Sequence, residues 1–294
     1  MTTITLPKEK KELLDRIVDE LKTIDNIKAI VLGGSYATGS ASATSDLDVG
    51  IYYSQEKPFD IDAIRKIAQK YAADNKPTVT GFYEWGPWVN GGAWIQTSNG
   101  KADFLYKNID QITATIEKAK EGIWENHFEQ QPPYGFSSII YLAETHSCVA
   151  LWDPEGIIKK LKIAVQRYPV KLKQSVVQQS LWAAEFTIWQ AISFAEKKDI
   201  YNTVGCLARA VKNIVTALFA INELYPMGDK RAVSYLEKAN SRPGDLARRV
   251  KNILCVNSNK PADNVALLKV LWTETTALVP GLYQPYYNLW GDDA

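Results

Sequence analysis

Leu13, Leu14, Ile17, Val18, Leu21 and Ile24 recur at spacings of three and four, so residues 8–24 predict a helix with one apolar face. Ile30-Val31-Leu32 is a short apolar run that ends at Gly33-Gly34, as a buried strand entering a tight turn would. Leu47, Val49 and Ile51 then alternate with Asp46, Asp48 and Gly50, the period of a second strand. Residues 58–71 predict a second helix, and the β-branched and aromatic stretch 78–83 a third strand. Asn99-Gly100 between the runs 93–97 and 102–106 is a strong hairpin signal. After Asn108 strand signals fade. Helical periodicity fills 109–124, 137–152, 154–167, 172–197, 200–224, 231–239, 244–256 and 263–279, with prolines at the main breaks. The pattern predicts an α+β fold. A small mixed sheet with helices on one face occupies residues 1–109, and an all-helical bundle occupies 110–294.

Composition narrows the class. The 294 residues, 46% of them hydrophobic, can build a sizeable core or two. A formal charge of +1 argues against a nucleic-acid coat. The three cysteines and two histidines have no disulfide or zinc spacing, which fits a reducing cytoplasm. No secretory leader is visible, and no uninterrupted apolar stretch looks long enough to span a bilayer, so no membrane role is expected.

The chemistry concentrates at the end of the first two strands. Alternation puts Asp46 and Asp48 on one face, about 7 Å apart, where a hard divalent cation such as Mg²⁺ relieves their repulsion. Gly33 and Gly34 let backbone N–H groups approach an anion, Ser35 adds a hydroxyl, and residues 36–38 can open a helix towards it. The loop is not a Walker A motif, because Ser40 and Ala41 stand where Lys and Ser/Thr are required. Glu84 ends the third strand. It opens a loop, 84–92, with two tryptophans among three glycines, suited to stacking on a ring or to packing as a lid.

Gly33-Gly34-Ser35 followed by Ser45-Asp46-Leu47-Asp48 resembles the signature of DNA polymerase β-like nucleotidyltransferases. The resemblance covers about a third of the chain. It implies that Asp46 and Asp48 bind Mg²⁺ against a nucleoside triphosphate, ATP by expectation, that Gly33, Gly34, Ser35 and Ser45 shape the phosphate site, and that Asp103, on the second hairpin strand, is the third carboxylate. Asp103 then completes the metal site or activates the acceptor.

The two-domain plan resembles the antibiotic nucleotidyltransferases that modify aminoglycosides or lincosamides. There a glutamate on an early helix of the second domain is the base, which points to Glu144. Arg209 and Lys212 share a helix face and are candidates for the pyrophosphate, with Lys230 behind them. The expected activity is Mg²⁺-dependent transfer of AMP to a hydroxyl of a small molecule, in a cleft between the domains. Residues 205–260 hold ten basic and four acidic side chains, which keeps open a protein or tRNA acceptor of the toxin–antitoxin kind. Nucleic acid is the less favoured partner, and a non-catalytic nucleotide-binding module the remaining alternative. The sequence does not set the oligomeric state.

Overall fold

The structure is a computed structural model that describes residues 6–42 and 44–290. In chain order the elements are α1 (Lys8–Leu21), β1 (Ala29–Leu32), α2 (Gly34–Thr38), β2 (Leu47–Tyr53), α3 (Ile61–Tyr71), β3 (Thr78–Val79), β4 (Gly92–Thr97), β5 (Gly100–Asn108), α4 (Ile109–Lys120), β6 (Asn126–His127), β7 (Phe136–Ser137), α5 (Ile139–Ser147), β8 (Val149–Trp152), α6 (Ile157–Ala164), α7 (Val170–Glu196), α8 (Ile200–Ile221), α9 (Ala232–Leu236), α10 (Leu246–Leu254) and α11 (Pro261–Ala277). They form two compact units. One runs to Glu117 and takes in Ile140–Arg167; the other holds Lys118–Ile139 and the chain from Tyr168 on.

The first unit is built on a mixed sheet in the order β3-β4-β5-β2-β1-β8. Only β2 and β5 run parallel, and they lie at its centre. One face is covered by α1 and α3, whose Leu13, Leu14, Ile17, Leu21 and Ile64 pack on Ile30, Leu47, Val49, Ile51 and Phe104. That burial decides where the polar residues go. A one-residue slip of β2 would expose Leu47, Val49 and Ile51, at roughly 1.5–3 kcal/mol each, and push Asp48 into the core. The core therefore holds Asp48 on the opposite face.

The helical second half contains more strand than its periodicity implies. Val149–Trp152 pairs antiparallel with β1 and adds a sixth strand to the sheet, where residues 137–152 predict one continuous helix. A four-residue apolar run cannot be told from buried helix by periodicity, and here the unpaired edge of β1 decides it. Segment 140–167 thus returns to the first unit, across the 109/110 division read from the sequence. The second unit carries a small hairpin, β6–β7, beside its helices. β3 stops at Val79, before Tyr83 turns to a φ of 60°.

In the second unit α7 and α8 pack along each other, with α10 and α11 against them. By length and composition α8 could cross a membrane, against the expectation from sequence, but half of its most apolar window is buried within the protein. Glu185 on α7 is fully buried. It accepts the Tyr283 hydroxyl and the backbone N–H groups of Tyr286, at 2.9 Å, and Tyr287, at 2.6 Å. One carboxylate thus fastens the segment after α11 to α7. Glu185→Ala should strand these donors at about 1–3 kcal/mol each and lower the urea midpoint of the second unit. An unchanged midpoint by circular dichroism would show that the segment is held by its aromatic rings instead.

Candidate active site

The open face of the first sheet is read off its registers. Asp48 stands directly beside Asp103 on the parallel pair β2–β5, and Trp94 on β4 stands opposite Asp103. Adjacent strands lie about 4.8 Å apart, so the two carboxylates belong to neighbouring backbones. Asp46, one residue before β2 and half-buried, falls on the same face by alternation. Hairpin arithmetic puts Asp103 here: a turn at Ser98-Asn99 pairs Thr97 with Gly100 and carries Trp94 to Asp103.

The turn after β1 is shaped around Asp48. The Gly33 N–H donates to the Asp48 carbonyl at 2.8 Å, which extends the β1–β2 ladder by one residue. That N–H is therefore committed to the sheet and not offered to a phosphate. Gly34 has φ +58°, and a Cβ there would lie 1.8 Å from Asp48 Oδ2. So the room left by the absent side chain of Gly34 is taken first by the Asp48 carboxylate. α2 is a single turn beginning at Gly34, with Ser35 half-buried on it. The first N–H groups of a helix have no intrahelical acceptor, and here they belong to Gly34, Ser35 and Tyr36.

The loop before β2 is fixed from beneath. The Ser45 hydroxyl accepts the Ser42 N–H at 2.8 Å, and the Ser45 carbonyl accepts the ammonium of Lys10. Lys10 is buried on α1, with its ammonium 5.3 Å from the centre of the Tyr36 ring. Lys10 escaped sequence reading because it stands in a helix whose other lysines are solvated.

Glu144, on α5, reaches the same sheet face further along β5. Its Oε2 pairs with Lys107 Nζ at 2.6 Å, and Lys107 also lies over the Tyr141 ring. Lys107 follows Asp103 by four residues and shares its face. Tyr52 is buried beside this pair; burial first, then Cys148 and Glu144, pushes its phenol well above the ordinary tyrosine range. Glu84 lies at the start of the aromatic loop, with its carboxylate beside Gly81. Arg209 is exposed on α8, and Lys212 is half-buried one turn on in the same unit. Burial pushes the Lys212 ammonium down, with Asp229 opposing that shift. Part of the basic excess of 205–260 is neutralised within its own unit: Arg249 binds Glu274 at 2.5 Å, and Arg248 pairs with Asp245.

Among the described residues, no three His, Cys, Asp or Glu side chains converge as a ready-made metal cage. The donor set nevertheless fits Mg²⁺, which is usually held by one or two carboxylates, with water and substrate phosphate completing the shell. Asp48 and Asp103 in adjacent register, with Asp46 beside them, supply that kind of partial set.

A mixed sheet whose open face places paired carboxylates beside a glycine turn and a one-turn helix is the layout of a nucleotidyl-transferring domain. Residues 14–88 match the family described as the nucleotidyltransferase domain. The match supports a nucleotidyltransferase domain over this part of the chain, and nucleotidyl transfer is the activity such a domain supports. The match takes in Gly33–Ser35, Asp46 and Asp48 and ends before Asp103. The chain is also similar to a nucleotidyltransferase-like protein from Exiguobacterium sibiricum, over 92% of this chain and 76% of that one, at 6% identity and a TM-score of 0.47. No curated protein matches the chain.

Gly34→Ala tests the turn. A left-handed alanine costs about 1–2 kcal/mol, and its Cβ must displace the Asp48 carboxylate. The variant should melt earlier and bind Mg²⁺-ATP at least about tenfold more weakly by isothermal titration. Unchanged affinity would uncouple Asp48 from the nucleotide.

Proposed function

We propose that the protein transfers AMP from ATP to a hydroxyl of a small molecule, of the aminoglycoside or lincosamide kind, with Mg²⁺ and release of pyrophosphate. The observation that carries this reading is the register of Asp48 beside Asp103, next to a turn that needs glycine because Asp48 fills it. Asp46, Asp48 and Asp103 would hold the metal. A divalent cation bound there supplies charge neutralisation for the attacking and leaving oxygens. The N–H groups of Gly34 and Ser35, with the Ser35 hydroxyl, bind the phosphates; Ser45 keeps the β2 entry in place, and Gly33 serves through the sheet.

The acceptor oxygen attacks the α-phosphorus in line, the bond to the bridging oxygen breaks, and pyrophosphate leaves. Glu144 takes the acceptor proton, and Lys107 orients it for that role. Arg209 and Lys212 are kept as candidates for a pyrophosphate on their shared face of α8 alone. A small acceptor is favoured over nucleic acid by the near-neutral chain and by the internal pairing of Arg248 and Arg249.

Transfer of label from α-labelled ATP to kanamycin, lincomycin, tRNA and total protein, run side by side, tests the acceptor class. Label on tRNA or protein alone would overturn the small-molecule reading. Asp46→Asn and Asp48→Asn should each abolish transfer without lowering the melting temperature, since loss of one clustered carboxylate relieves repulsion. Near-wild-type turnover in either would remove it from the metal site.

The two remaining carboxylates separate by their effect on the donor. Glu144→Gln should lower kcat by roughly 10²–10⁴ and spare ATP affinity, whereas Asp103→Asn should damage both. Intact ATP binding in Asp103→Asn would make Asp103 the base and relieve Glu144 of that role.

A further inference from the structure

Trp94 and Trp85 have no part in the chemistry above, yet they adjoin it. Trp94 is in register with Asp103 and half-buried on the open face. Gly92, two residues before it, has no side chain, and a Cβ there would come within 3.2 Å of the Trp94 ring. Trp94 can therefore lie back along β4. Trp85 stacks on it with ring centres 4.2 Å apart and planes 25° apart, and it keeps 48% of its surface exposed. An indole that exposed, with a second indole behind it, offers flat π surface to a ligand.

The loop that presents Trp85 is tied down. The Tyr83 N–H donates to the Asn90 carbonyl at 2.9 Å, and the Gly86 N–H donates to the Tyr83 carbonyl at 3.1 Å. The Tyr83 hydroxyl donates to Gln55 Oε1 at 2.9 Å. Buried Asn90 donates to Gln111 Oε1 at 2.8 Å and accepts the Asn108 N–H at 2.8 Å. Gln111 in turn donates to the Pro87 carbonyl at 2.7 Å. These bonds hold the loop on both sides of Trp85, so the ring is presented in place rather than on a free strand of chain.

Strand order gives the platform a direction. The phosphate-facing turn follows β1, on one side of the carboxylate pair; β4 lies on the other side, beyond β5. A nucleoside triphosphate carries its phosphates at one end and its base at the other. With the phosphates at Gly34 and Ser35 and the α-phosphate at Asp48 and Asp103, the nucleoside end extends over β4.

We infer that Trp85, backed by Trp94, is the platform on which the base of the donor nucleotide stacks. This rests on the proposed nucleotidyl transfer and adds a base-binding residue to it. Stacking of a base on an aromatic side chain is sequence-tolerant and favours the larger purine face, which fits a purine donor.

Isothermal titration with Mg²⁺-ATP, Mg²⁺-UTP and Mg²⁺-tripolyphosphate tests it. Wild-type protein should bind ATP more tightly than UTP, and both more tightly than tripolyphosphate, which has no ring. Trp85→Ala should weaken ATP by roughly tenfold, leave tripolyphosphate unchanged and narrow the gap between ATP and UTP. Trp85→Phe, which keeps a ring, should stay within about threefold of wild type. Equal ATP affinity in wild type and Trp85→Ala would overturn the inference, as would equal losses of ATP and tripolyphosphate. Wild-type protein that binds tripolyphosphate as tightly as ATP contradicts the platform alone. Wild-type protein that binds neither contradicts the nucleotidyl-transfer reading on which the platform rests.

Discussion

The close approach of the Asp48 carboxylate to Gly34 is the contact on which the site depends. Asp48 Oδ2 occupies the space that any other residue at position 34 would need for its Cβ. The same two strands are joined by the bond from the Gly33 N–H to the Asp48 carbonyl. One residue of β2 is thus held by its backbone and flanked through its side chain by one turn. β5 then sets Asp103 beside it, in register, with no loop between them to relax the geometry. A site built on adjacent central strands is stiffer than one carried on loops, which suits a reaction in which positioning and charge neutralisation supply most of the catalysis.

Gathering carboxylates on one face costs repulsion, and two lysines in the surroundings are each held by other partners. Lys10 lies beneath the entry to β2 and hydrogen-bonds the Ser45 carbonyl, while Lys107 stands further along the strand of Asp103 and binds Glu144. Neither lysine belongs to the nucleotidyltransferase motif. Both come from elements that the apolar core fixes: α1 through Leu13, Leu14 and Ile17, and β5 through Phe104 and Tyr106. The polar face is organised by what is buried on the other side of the sheet.

The elements nearest the chemistry were the most legible in the sequence. Alternation in Leu47–Ile51 gave β2 its face, and Asn99-Gly100 gave the hairpin that aligns Trp94 with Asp103. The short β8 was not legible, because its role as a strand depends on a distant partner, β1, and not on its own pattern. A second reason for Gly34 was hidden for a similar cause: its missing side chain leaves room for Asp48, a neighbour across the sheet. Lys10 carries no local signal, and the tryptophans of 84–92 mark a loop suited to stacking without naming its partner; only the fold shows that Lys10 lies under Ser45 and Trp85 on Trp94.

The most direct test of the central claim follows the phosphorus atoms. ATP labelled separately at the α and γ positions is incubated with Mg²⁺, the protein and the acceptor mixture, and the products are separated. Nucleotidyl transfer predicts α-label on the acceptor and γ-label only in pyrophosphate, both abolished by chelation of the metal. Appearance of γ-label on the acceptor, or as inorganic phosphate with the α-label left in ADP, would contradict it, because the bond broken would then be the one at the γ-phosphorus.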